Sequence, residues 1–126
     1  MMNDPVTLAE VAAAFERYEA ALMANDIDTL SELFHDSPHT VRFGVGENLF
    51  GFVAIREFRA ARTGGSPERD ITRRVITSFG TDFAVTHIEF LRQASRQVGR
   101  QSQTWARTDD GWKIVSAHVS LMASHS

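Results

Sequence analysis

The polar groups best placed to do chemistry in this chain are an arginine set between apolar strand residues and a histidine set between serines. Arg42 lies in Thr40-Val41-Arg42-Phe43-Gly44-Val45. Strand alternation puts Thr40, Arg42 and Gly44 on one face and Val41, Phe43 and Val45 on the other. A buried charge requires a counter-charge or a ligand. An inward Arg42 therefore implies an anion in a pocket, and its planar fork suits a carboxylate. The alternative is an edge-strand arginine that faces solvent or pairs with Glu47. Tyr18 is the only tyrosine and falls on the apolar stripe of an N-terminal helix. Its ring belongs to a core, but its hydroxyl needs a partner, which is either water or the space that Arg42 enters. Near the C-terminus Ser116, His118 and Ser120 alternate with Val115, Ala117, Val119 and Leu121, so His118 lines a pocket or sits in a subunit interface. Gln101, Gln103 and Trp105 share a face with the same ambiguity. Glu47, Asn48, Gln103, His118 and Ser120 are thus the candidates for binding a ligand beside Tyr18 and Arg42.

Stronger motifs are missing. The histidines at 35, 39, 87, 118 and 125 form no metal-ligand spacing with acidic neighbours. Gly44-Val45-Gly46 followed by Gly51 matches neither a phosphate loop nor a dinucleotide fingerprint, and no nucleophile elbow is present. Cys is absent, which excludes disulfides and thiolate chemistry. Neither metal nor cofactor is expected.

At 126 residues the chain is the length of one domain, 1–126. Its 43% hydrophobic content, nine Phe and two Trp supply a core without crosslinks. No N-terminal basic segment precedes an apolar run, and no stretch approaches the ~20 apolar residues of a membrane span. A cytoplasmic protein without a membrane partner is the expectation. A net charge of −3 argues against nucleic acid. Acidic residues dominate the first 36 positions, while most arginines fall between 56 and 107. A locally positive pocket in a mildly acidic protein fits a small anionic ligand.

These residues must be positioned by the surrounding elements. Leu8, Val11, Phe15, Tyr18 and Leu22 recur at helical spacing over residues 5–25, after an Asp4-Pro5 start signal. Asp26 caps a short second helix containing Ile27, Leu30, Leu33 and Phe34. Ser37-Pro38 breaks it before a strand at Thr40–Gly44. Gly44, Gly46 and Gly51 bracket a loop or short hairpin, and a third helix spans Phe52–Arg62. After Gly64-Gly65-Ser66-Pro67, four antiparallel strands are predicted at about 69–79, 82–92, 98–107 and 112–122. The predicted class is α+β: a bent antiparallel sheet with three helices on its concave side, enclosing a cone-shaped cavity. Apolar strand surface left on the open face predicts a homodimer.

Taken together, Tyr18-Glu19-Ala20-Ala21-Leu22, Thr40–Gly44, Glu47–Gly51, Ile55–Arg59, Gly99–Trp105 and Gly111–Ser120 resemble the AtzH-like and HpxZ-like proteins of cyanurate and oxalurate catabolism. That group belongs to the SnoaL-like branch of the nuclear-transport-factor (cystatin-like) cone folds. Phe43 and Phe50 stand where tyrosine is common there, and Ser116 where alanine is common. The resemblance implies metal-free amide hydrolysis of a small carboxylated urea, such as 1,3-dicarboxyurea or an oxalurate-like ureido acid. It places the catalytic pair at Tyr18 and Arg42. The alternatives are an accessory or ligand-binding protein that works with an amidase, and a cone-fold isomerase or dehydratase, which needs a carboxylate or histidine base.

Overall fold

Asp4 starts the chain's first helix by capping its first turn. In the computed structural model, which describes residues 1–123, α1 runs Pro5–Ala24. The Asp4 carboxylate accepts from the Thr7 backbone N–H (3.1 Å) and hydroxyl (2.8 Å), satisfying a donor that the helix itself leaves free. Asn25 ends α1 in the left-handed region, at φ 53°, which suits Asn as a helix terminator. Asp26 then caps α2 (Ile27–Leu33) through the Thr29 backbone N–H and hydroxyl. The stripe of Val11, Phe15, Tyr18 and Leu22 is buried as its spacing requires. Each such apolar side chain contributes about 1.5–3 kcal/mol by leaving water.

The chain continues through β1 (Val41–Phe43), β2 (Asn48–Phe50), α3 (Phe52–Ala61), β3 (Arg69–Phe79), β4 (Phe83–Arg92), β5 (Val98–Thr108) and β6 (Gly111–Leu121). One sheet runs in the order β2-β1-β6-β5-β4-β3. The four predicted strands form its larger part, joined as successive antiparallel neighbours. The first strand joins this ribbon parallel to β6, and Gly44–Glu47 turns it into an antiparallel mate, β2. The wholly antiparallel reading is corrected to that extent. Strand periodicity cannot reveal which distant strand a short segment will pair with. The helices lie on one face, α1 against β3 and β4, α2 against β6, and α3 against β1 and β2. Among the described residues no helix is long and apolar enough to cross a membrane.

Two local features shape the inner face. Between β5 and β6 the register passes from Thr104↔Ser116 to Trp105↔Ile114, leaving Val115 as an extra residue. This bulge reverses the alternation, so Trp112 and Ile114 before it, and Ala117 after it, are all buried. The second feature is Gly99. A Cβ there would come within 2.1 Å of the Phe90 ring, so only glycine lets that ring lie against β5. Phe90 in turn carries the Arg69 guanidinium 4.4 Å above its centroid. Among the described residues no helix covers the outer face, which holds Phe43, Val75, His87, Ser102 and His118.

Candidate active site

Arg42 enters the site because β1 obeys its alternation. Thr40 and Arg42 are buried, while Val41 and Phe43 are half-buried on the opposite side. The Arg42 Nη1 donates to Glu47 Oε1 at 2.8 Å, and Gly46 N–H donates to the other carboxylate oxygen at 3.1 Å. Both outcomes weighed from the sequence are realised at once: Arg42 pairs with Glu47, and it also lines a cavity. The pairing needs Gly44, because a Cβ there would fall 1.7 Å from Glu47 Oε1. The Phe58 ring lies 5.7 Å from the Arg42 guanidinium and 5.8 Å from that of Arg62.

The cavity holds about 70 Å³. One water needs only ~10–15 Å³ on this measure, so the cavity has room for a small molecule. Tyr18, Phe90, Gln101 and Val119 contribute to its wall, and four of the lining residues are arginines: Arg42, Arg62, Arg69 and Arg92. Glu47 is the single carboxylate among the lining residues. Arg69 is held by Glu19, through Nε at 3.1 Å and through Nη2, and also donates to Gln101 Oε1 at 3.2 Å. Among the described residues no carboxylate lies within ion-pair distance of Arg62 or Arg92. Among the described residues the Gln101 Nε2 is a buried donor without a partner. The wall thus has more donors than acceptors and more positive than negative charge. Burial lowers the pKa of Arg62, and Arg59 and Arg42 lower it further.

Tyr18 meets this positive region with its hydroxyl. Its ring sits edge-on to Phe34, 6.2 Å between centroids, and its oxygen accepts from Arg59 Nη2 at 2.9 Å. Burial pushes the hydroxyl pKa up. The charges of Arg59, Arg42 and Arg69, with the Arg59 hydrogen bond, outweigh that and hold it below the usual phenol value. Arg59 itself is 3% exposed, and among the described residues its Nε has no partner. Sequence reasoning missed Arg59. The available signal was its position four residues after Ile55, which puts a charge on the buried stripe of α3. Arg62, Arg69 and Arg92 were missed as well, because they come from three separate segments.

The candidates taken from the sequence therefore divide. Tyr18, Arg42 and Glu47 come together at the cavity. Gln103 faces inward but lies outside the cavity wall, its Oε1 accepting from Thr86, whose hydroxyl also accepts from Trp105 Nε1. Asn48 is exposed on β2, opposite Phe43. His118 and Ser120 belong to the outer face, a correction to their assignment as ligand-binding groups. Past the Val115 bulge the inward positions of β6 are Ala117 and Val119, and His118 turns its ring edge to Phe43 at 5.8 Å. Of the five histidines, His125 lies outside the described residues.

The AtzH-like family model matches residues 1–125. A protein of unknown function from the DUF3225 family of Pectobacterium atrosepticum is 50% identical, with 97% of this chain and 95% of that one covered and a TM-score of 0.94. A cystatin-like fold protein from Burkholderia xenovorans is 48% identical over 99% and 98% of the two chains, also with a TM-score of 0.94. A nuclear transport factor 2-like protein from Salmonella enterica, 24% identical over 96% and 94% with a TM-score of 0.78, shares the fold. No curated protein matches the chain. The same three-helix cone, with a sequence match along almost its whole length, shows that this chain belongs to the AtzH-like family.

Proposed function

We propose that this protein is an amidohydrolase acting on a small anionic carboxylated urea of the 1,3-dicarboxyurea or oxalurate type. The observation that carries the reading is the cavity itself. About 70 Å³ is walled by four arginines and a buried tyrosine hydroxyl, with one carboxylate already engaged by Arg42. Such a wall favours an anion rich in hydrogen-bond acceptors over a neutral or cationic molecule. The family resemblance supplies the amide chemistry, which fold alone does not, because cone folds host many functions.

In this reading Arg62 and Arg92 hold one carboxylate, and Arg42 faces the urea carbonyl. Water adds to that carbonyl carbon, and Arg42 stabilises the oxyanion that forms. The C–N bond then breaks, its electron pair goes to nitrogen, and that nitrogen takes a proton. Tyr18 is the donor within the cavity, and the proton shed by the added water restores it. Arg59 leaves the hydroxyl proton free for this role, since its own N–H already occupies an oxygen lone pair.

Non-catalytic capture of the same anion, in partnership with an amidase, is the second reading. It is favoured by Glu47 being tied to Arg42 rather than free to act as a base. That same pairing counts against an isomerase or dehydratase. The deciding experiment is ammonia release from 1,3-dicarboxyurea-type and oxalurate-type substrates by purified protein, with and without chelator. Release above background supports hydrolysis. A raised melting temperature without release supports capture, and neither effect refutes both.

A further inference from the structure

Arg59 is the most deeply buried arginine of the site, and among the described residues it has no carboxylate partner. Its one side-chain hydrogen bond there is to the Tyr18 oxygen. Among the described residues, every other charge that lines the cavity beside Tyr18 is either positive or already paired. From β1 comes Arg42, bound to Glu47; from β3 comes Arg69, bound to Glu19 of α1. Arg62 follows α3, and Arg92 ends β4. β5 and β6 present Gln101 and Val119, and α2 is followed by Phe34, none of which titrates. A buried, uncompensated guanidinium is unfavourable, and the Tyr18 oxygen is the nearest group able to become its counter-ion.

We propose that Arg59 is the positioning residue of this site: it turns the Tyr18 proton toward the cavity and makes Tyr18 and a bound anion alternative counter-ions, so that anion entry and proton uptake at Tyr18 are one coupled event. Without an anion, Tyr18 ionises early and neutralises part of the arginine cluster. When a small dicarboxylate enters, its charge repels the phenolate, and a proton from solvent returns to the oxygen. The substrate thus meets a neutral donor where the departing nitrogen needs one. By linkage, anion affinity falls as pH rises through the Tyr18 midpoint. The coupling rests on the cavity being an anion site, whereas the Arg59–Tyr18 part does not.

Because Tyr18 is the sole tyrosine, the near-ultraviolet absorbance of tyrosinate reports this one group, and Tyr18→Phe supplies the baseline. In the wild-type chain the absorbance is expected to rise below the ordinary phenol pKa of about 10. Arg59→Met and Arg59→Gln move that rise to higher pH. Malonate or oxamate moves it upward in the wild type, and calorimetry shows their affinity falling over the same pH range. An Arg59 variant that melts cooperatively yet ionises as the wild type does overturns the proposal. Should neither variant fold, a wild-type rise at or above the ordinary phenol value overturns it. Anion binding without a shift at Tyr18 defeats the coupling, whereas failure of both anions to bind defeats the anion reading of the cavity.

Discussion

Replacing Tyr18 by phenylalanine removes one oxygen and leaves the ring's place in the α1 stripe unchanged. From spacing alone that substitution is harmless to the fold, but the structure argues otherwise. The oxygen accepts from Arg59 Nη2 at 2.9 Å, and Arg59 is 3% exposed, so water cannot readily replace the lost partner. A hydrogen bond to a charged group contributes about 1.5–3 kcal/mol. With an unfolding entropy of about 2.1 cal/mol/K per residue over 126 residues, each kcal/mol moves the melting midpoint by about 4 °C. Tyr18→Phe is therefore expected to lower it by about 6–11 °C. Loss of a general acid at the reacting centre costs roughly 100- to 10,000-fold in turnover. Thermal melting and ammonia release, the latter assayed well below the variant's midpoint, read the two effects separately. Near-normal turnover would reduce Tyr18 to a structural residue and refute the mechanism. An unchanged midpoint would refute the argument that Arg59 depends on it.

Arg42→Ala is expected to lower turnover by roughly 100- to 1,000-fold, with Arg42→Lys recovering little because an ammonium cannot reproduce the fork that faces both Glu47 and the cavity; kcat/KM on each variant decides it. Gly99→Ala should destabilise by about 1–3 kcal/mol, since its Cβ would meet the Phe90 ring at 2.1 Å while Arg69 lies over that ring. A melting midpoint equal to wild type would show that the ring has room to move. Asp26→Ala should cost about 1 kcal/mol by removing the α2 cap that holds Thr29, and a denaturant titration measures it. The outer sheet face, with Val75 42% exposed and no helix over it, is expected to make the chain a homodimer. Light scattering at micromolar concentration giving the mass of one chain would contradict this.

The helices and long strands were legible in the sequence because each is governed by local chemistry. Asp4 and Asp26 cap through side chains three residues from their partners, and the stripe Val11-Phe15-Tyr18-Leu22 needs only the helical period. Alternation within its own strand also put Arg42 opposite Val41 and Phe43, but left open whether that face is the inner one. The pairing of β1 with β6 was not local, nor was the Val115 bulge. The bulge matters most to the site, because one extra residue carries His118 and Ser120 to the outer face and gives the inner face to Ala117 and Val119. Period-two reading assumes an unbroken ladder and cannot detect such an insertion. The arginine cluster was hidden for a related reason. Arg42, Arg59, Arg62, Arg69 and Arg92 are spread over 51 positions of sequence, and only closure of α1 and α3 over the bent sheet gathers them around Tyr18. Sequence determined which side chains were available and, where the helix or strand period ran unbroken, which of them share a face. Tertiary structure decided which faces meet, because burial of charge is energetically defined only once its neighbours are in place.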